Sequence, residues 1–256
     1  MPQKRNTHAC VIASNESVYK CQLPDSAGHP GKILTTHNGA RCAKQTNTIE
    51  MDFYDYVKRM KASLLKHMPK LYTKCTHDGK RFVEFENLKR GMQAPIELDI
   101  KLGKHTADRG DLEAQGLSNF RIAYKIMFSA VVNTASGRRN TYFAPTRFNL
   151  TKKSRDPVAV FKAFFKDCTD PGVREGVLRD LKGCADAFRA MPPLRTVGVS
   201  VLMVYDQKRP SLPVQIKLID FAHTVPVKNP HKSHAYTVAG IENMHNCIRD
   251  HVFGSK

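Results

Sequence analysis

The chain has 256 residues, 41% hydrophobic and 25% charged, a balance that can bury a large core in one domain or two lobes and excludes an intrinsically disordered chain. Its formal net charge of +18, with a sequence pI of about 9.7, favours anionic partners: nucleic acid, acidic lipid headgroups or a heavily phosphorylated small molecule. Seven scattered cysteines form no CxxC pair, no apolar stretch approaches a membrane span and the N-terminus lacks a signal-peptide core. These features argue against a structural zinc site and predict a soluble intracellular protein, cytoplasmic or nuclear, with reduced thiols.

Residues 1–22 are polar and read as an irregular segment. "SAGHPGKIL" and "THNGARCAKQ" follow as a glycine-bearing turn and two short strands joined at Asn38-Gly39, a strong hairpin signal. "NTIEMDFYDYVKRMKASLLKHM" places Ile49, Phe53, Val57, Met60, Leu64 and Leu65 at helical spacing. This predicts one helix with Asn47 or Thr48 as its N-cap and Pro69 as its stop. "THDGKRFVEFENL" gives a second hairpin turn at Asp78-Gly79 and a strand through Phe82, Val83 and Phe85. After the connector "KRGMQA", the stretch "PIELDIKLG" (Pro95–Gly103) alternates Ile96, Leu98, Ile100 and Leu102 with Glu97, Asp99 and Lys101. By itself that period of two describes a half-buried strand with a solvated polar face.

"KHTADRGDLEAQGLSNFRIAYK" is polar and fits one or two short helices, and "IMFSAVVNTASGRRNTYFA" a hairpin turning at Ser136-Gly137. Two amphipathic helices follow, with Pro157 and Pro171 near their starts. "VGVSVLMVYD" and "VQIKLIDFAHT" are β-rich runs, and a last helix spans "YTVAGIENMHNCIRDHVF". No internal repeat is visible. The order is a small β-rich half with one helix, a connector, and a larger mixed half.

In "LIDFAHT", Asp220 stands at the end of an apolar strand, where an aspartate commonly caps the strand end. Taken with "PIELDIKLG", it is more specific. The chain resembles the inositol polyphosphate kinase family, whose signature P-x-x-x-D-x-K-x-G is filled by Pro95, Asp99, Lys101 and Gly103. The family's Ile-Asp-Phe-Ala-His segment is matched by Ile219, Asp220, Phe221, Ala222 and His223. Its Ser-Ser-Leu-Leu strand is matched in part: Ser200 and Leu202 keep the pattern, while Val199 and Val201 depart from it. "SAGHPGKIL" resembles the family's Ala-Gly-His loop, "KQTNTIEMDFYDYV" its lysine and Glu-x-x-Phe-Tyr helix, and "YTVAGIENM" its C-terminal Tyr-x-x-Gly helix start. The resemblance runs from about Ser26 to Ile248, with gaps in the middle.

The resemblance implies an α+β, two-lobed, protein-kinase-like fold with an ATP-grasp-like cleft and antiparallel sheets in each lobe. The nucleotide lobe would span 23–90, with a hinge near 86–90, and the catalytic and substrate-binding lobe 91–256. It also implies ATP and Mg²⁺ as cofactors and an inositol polyphosphate as acceptor. Phosphoryl transfer depends on positioning and charge stabilisation. Lys44 is the candidate for the ATP phosphates, held by Glu50; Lys32 and Arg41 compete, because Lys44 lies one residue further from Asn38-Gly39 than the family's usual form, and a solvated strand lysine is the plain alternative. Gly28 and His29 would approach the phosphates through backbone N–H groups. Main-chain groups of Glu86 and Leu88 would bind the adenine edge, and Asp99 the ribose hydroxyls. Lys101 would neutralise the transferring phosphoryl group and contact the acceptor. Asp220 would ligate Mg²⁺, with Ser200 contributing through water. His223 would face the acceptor phosphates or simply pack at the strand end. Lys104, His105, Arg109, Arg121 and Lys125 form the basic segment expected to meet the acceptor, with about half of them in contact.

The short distance from Gly103 to the strand near Ile126 leaves no room for the large helical insertion of the trisphosphate 3-kinase branch. It favours the hexakisphosphate kinase or multikinase branches, and the high positive charge leans towards the hexakisphosphate. A non-catalytic basic nucleic-acid-binding module is the competing class, but the chain has no long Lys/Arg run and no RNP-type motif. A protein kinase is disfavoured because no HRD-type loop or GxGxxG occurs.

Overall fold

Gly39 and Gly79 both take positive φ, 65° and 70°, a backbone conformation that costs glycine little. Each lies in the turn of a hairpin. The computed structural model describes residues 39–77, 79–102 and 157–254, together with the strand backbone at Tyr19–Lys20, Ile33–Thr35 and Phe128–Asn133. Gly39 lies between β2 (Ile33–Thr35) and β3 (Arg41–Thr46), and Gly79 between β4 (Leu71–His77) and β5 (Lys80–Glu86). With β1 (Tyr19–Lys20) they form an antiparallel sheet in the order β1-β2-β3-β5-β4. β1 falls inside the segment expected to be irregular.

A second antiparallel sheet has the order β10-β9-β6-β7. Its strands are β6 (Pro95–Leu102), β7 (Phe128–Asn133), β9 (Ser200–Asp206) and β10 (Gln215–Ile219). A two-stranded pair joins β8 (Leu194–Arg195) to β11 (Val225–Pro226). Ile96, Leu98, Ile100 and Leu102 of β6 are at most 3% exposed and pack with Val201, Met203 and Tyr205 of β9. Burying each such side chain contributes about 1.5–3 kcal/mol. The opposite row departs from expectation. Glu97 and Asp99 are buried too, so β6 is covered on both faces and its polar row is not solvated.

Helix α1 (Thr48–Arg59) begins at Asn47, whose side chain accepts the Glu50 N–H. Glu50, Phe53, Tyr54 and Val57 share its buried face. The single helix expected through to Met68 is instead broken. Lys61 has φ 46°; its N–H bonds the Lys58 carbonyl and the Ala62 N–H bonds the Val57 carbonyl, a Schellman ending with lysine in place of glycine. A 3₁₀ segment, Ser63–His67, then turns Leu64 and Met68 into the core and leaves Met60 and Leu65 exposed.

Helices α2 (Pro157–Phe164) and α3 (Pro171–Arg189) cover the second sheet's core with Phe161, Phe164, Leu181 and Phe188. Asp170 caps α3 through the Val173 N–H at 3.1 Å. Helix α4 (Lys232–Cys247) starts four residues before the expected Tyr236, capped by His231, and continues as a π-type turn to Phe253. The Ser136-Gly137 turn and the polar stretch after Gly103 lie outside the described residues. Cys42, Cys168, Cys184 and Cys247 are free thiols. Among the described residues, no helix is long and apolar enough to cross a membrane.

Candidate active site

Asp220, directly after β10, has φ 66°, the left-handed region that aspartate tolerates better than most residues and that marks a held conformation. Lys44, from the middle of β3, reaches its Oδ1 at 2.8 Å, and Lys101, from β6, bonds its Oδ2. Lys44 also donates to Glu50 Oε1 at 3.0 Å. Glu50 Oε2 accepts the Thr46 hydroxyl, and its Oε1 accepts the Phe221 N–H at 3.1 Å. One buried carboxylate on α1 therefore joins β3 to the turn that follows Asp220. That turn is held further by its aromatic side chain. Phe221 stacks on Phe53 at 4.7 Å between ring centroids and meets the edge of Tyr54 at 6.1 Å.

The charges of this cluster are mutually supporting. Burial favours the neutral form of Asp220, but Lys101 and Lys44 outweigh it and hold the carboxyl well below its usual range. Burial likewise opposes the Lys44 ammonium, yet Asp220 and Glu50 keep its pKa above the ordinary lysine value. Lys101 is raised in the same way, with Asp220 and then Asp99 overcoming burial. Asp99 goes the other way. Burial raises its pKa, Lys101 offsets only part of that, and Asp220 adds to it. The Ser200 hydroxyl on β9, the residue paired with Lys101, lies beside it and offsets part of the rise, although neither that hydroxyl nor Asp99 Oδ1 makes a hydrogen bond of ordinary geometry.

The linker between the sheets is clamped at both ends. Glu86 donates its N–H to the Lys70 carbonyl at 3.0 Å, while the Lys70 N–H goes to the Glu86 carboxylate at 2.9 Å. Asn87 bonds the Ala40 and Gly39 carbonyls, and Lys89 pairs with Glu97 at 3.0 Å. At the far end, Asp206 accepts the Gln93 and Ala94 N–H groups at 2.9 and 3.0 Å and the Arg209 Nε at 2.8 Å, and Arg209 also reaches the Gly91 carbonyl.

Of the residues expected from sequence, Lys44, Glu50, Lys101 and Asp220 come together, with Asp99 and Ser200 beside them. Arg41, a competitor of Lys44, pairs with Glu84 at 2.8 Å instead. Glu86 and Leu88 lie at the linker, and His223 is half-buried in the turn after Asp220. Gly28, His29, Lys32, Lys104, His105, Arg109, Arg121 and Lys125 lie outside the described residues. Sequence reasoning named Phe221 only as a member of the Ile-Asp-Phe-Ala-His segment and did not single out Thr46 or the Asp206–Arg209 clamp.

A family model described as inositol polyphosphate kinase matches residues 82–249. The chain belongs to the inositol polyphosphate kinase family. The matched segment holds Asp99, Lys101, Ser200 and Asp220; Lys44 and Glu50 precede it and are tied to it by geometry. Among solved structures, an inositol phosphate multikinase Ipk2 from S. cerevisiae, in complex with ADP and Mn²⁺, superposes with a TM-score of 0.62 at 17% identity, covering 83% of this chain and 99% of that one. A second inositol phosphate multikinase structure gives 0.57 at 18% identity, covering 79% and 99%. At this identity the likeness is one of fold: two lobes, kinase-like, with antiparallel sheets. No curated protein matches the chain.

Proposed function

We propose that this family member is an ATP- and Mg²⁺-dependent kinase that transfers the γ-phosphate to a highly phosphorylated inositol, with inositol hexakisphosphate as the preferred acceptor and an inositol pyrophosphate as product. The observation that carries the transfer chemistry is the Lys44–Glu50–Asp220–Lys101 cluster, which joins two cations from different sheets to one strained carboxylate. The +18 charge supports the most anionic acceptor.

The donor set suits Mg²⁺. That ion binds through one or two carboxylates and fills its other positions with waters and substrate phosphates. Asp220 supplies a carboxylate, and the buried Ser200 hydroxyl, on the strand paired with Ile219, is close enough to contribute through water. Bound there, the ion would neutralise charge on the phosphate oxygens.

The chain's own groups do the rest. Main-chain groups of Glu86 and Leu88 take the adenine edge at the hinge (86–90), and Asp99 accepts from the ribose hydroxyls. Lys44, oriented by Glu50, donates to the α- and β-phosphates, assisted by the Gly28–His29 backbone. Lys101 shifts from Asp220 to the moving γ-phosphoryl group, where its charge counts most in the transition state. His223 and the basic segment Lys104, His105, Arg109, Arg121 and Lys125 receive the acceptor.

Incubation with ATP, Mg²⁺ and a panel of inositol phosphates, with products resolved by anion exchange, tests this reading. Phosphorylation confined to lower inositol phosphates would move the assignment to a multikinase acting on hydroxyls. No turnover on any of them, alongside tight DNA or RNA binding, would replace it with a nucleic-acid-binding function.

A further inference from the structure

Asn47 uses both ends of its side-chain amide. Its Oδ1 accepts the Glu50 N–H at 3.0 Å and so caps α1. Its Nδ2 donates to the Ala222 carbonyl at 2.9 Å, 175 positions away in the chain. These partners fix the amide's orientation, since a flipped amide would set donor against donor and oxygen against oxygen.

A helix cap needs only an acceptor, which serine, threonine or aspartate supplies equally well. The donor is a separate property, and it acts on the segment that carries Asp220. Asp220 is in the left-handed region, and the residues just after it are gripped from α1 on both sides. Glu50 takes the Phe221 N–H, and Asn47 feeds the Ala222 carbonyl. A conformation of this kind persists only where its surroundings over-determine it. We propose that Asn47 is a positioning residue, whose amide donor locks the turn after Asp220 so that this carboxylate stays aimed between Lys44 and Lys101. The inference rests on the kinase reading for its catalytic consequence, but not for the contact itself.

Two substitutions separate the donor from the cap. Asn47→Asp keeps an isosteric acceptor and loses the donor. Asn47→Ser keeps a capping acceptor, adds no charge and has no donor long enough to reach Ala222. Asn47→Ala loses both functions and reports the cost of the cap. Hydrogen–deuterium exchange of the segment 219–226, compared with that of α1, reads the contact without any activity. Both Asp and Ser variants should lose about tenfold in protection at 219–226 while the middle of α1 is unchanged. With wild type active, both should also lower kcat by about tenfold and raise the Mg²⁺ concentration for half-maximal rate, with a smaller change in KM for ATP. Unchanged exchange in both variants overturns the clamp. Changed exchange with wild-type kcat and Mg²⁺ dependence overturns the positioning role. A wild type that phosphorylates no inositol phosphate defeats the kinase reading instead, and the exchange result then judges the clamp alone.

Discussion

Lys44 and Asp220 are 176 positions apart in the chain and 2.8 Å apart in space. This contact joins the first sheet to the second, and Lys101 holds the other oxygen of the same carboxylate. With Glu50 and Asp99 nearby, two ammonium groups face three carboxylates in one partly buried cluster. Such an arrangement is poised to exchange part of its internal pairing for a polyphosphate.

Asp99 should trade stability for binding. Its carboxyl is buried, and burial raises its pKa although Lys101 and the Ser200 hydroxyl offset part of the rise. Removing a desolvated charge of this kind commonly leaves a protein as stable or more so. Asp99→Asn is expected to melt at or above the wild-type temperature while raising KM for ATP. A thermal melt paired with ATP titration checks both; a large loss of stability would show that the charge is structurally required.

Asp206 should do the reverse. Burial favours its neutral form, but N–H groups of Gln93 and Ala94, then Arg209, bring its pKa down to about 2. A carboxyl lowered on folding stabilises the fold fully above its unfolded pKa, near 3.8, and loses that contribution as the pH falls through the folded value. Asp206→Asn should therefore cost ~2 kcal/mol at neutral pH, the scale of a charged hydrogen-bond set. The gap from wild type should narrow between about pH 4 and pH 2. Urea unfolding at pH 7 and pH 3 measures it, and a gap independent of pH would contradict the clamp.

Much of the site was legible because its parts are local signals. The alternation in Pro95–Leu102 and the apolar run into Asp220 each define a strand, and the Asn47 cap with the buried row Glu50, Phe53 and Tyr54 defines the start of α1. What sequence could not supply is what covers each face. The polar row of β6 reads as solvated until its burial is seen at Glu97 and Asp99. The helix through Met60 reads as continuous because leucine and methionine keep the right period, yet Lys61 adopts a left-handed ending that nothing in its chemistry announces. The grip of Glu50 on the Phe221 N–H and of Asp206 on the linker are side chain-to-backbone bonds across the fold. Backbone partners leave no mark in sequence.

Lys101 separates local chemistry from the general basic field. A steering charge changes encounter rate and is screened by salt, whereas a lysine on the moving phosphoryl group acts in the transition state. Lys101→Ala should lower kcat by about a hundredfold. Arg109→Ala and Lys125→Ala should mainly raise KM for the inositol phosphate. Both constants measured at low and moderate salt distinguish the two; a Lys101→Ala variant altered only in KM, in a way that salt reproduces in wild type, would remove Lys101 from the chemistry.

The central claim is that Asp220 is the carboxylate around which phosphoryl transfer is organised. Asn is nearly isosteric with Asp and also tolerates the left-handed backbone, so Asp220→Asn should keep a cooperative melt. The decisive measurement is the anion-exchange product profile of wild type and Asp220→Asn, side by side, with ATP, saturating Mg²⁺ and inositol hexakisphosphate. Wild type should convert the acceptor to a species with one more phosphate, and the variant should fall by several powers of ten, of order 10³ or more. Near-normal turnover by Asp220→Asn under those conditions would contradict the account.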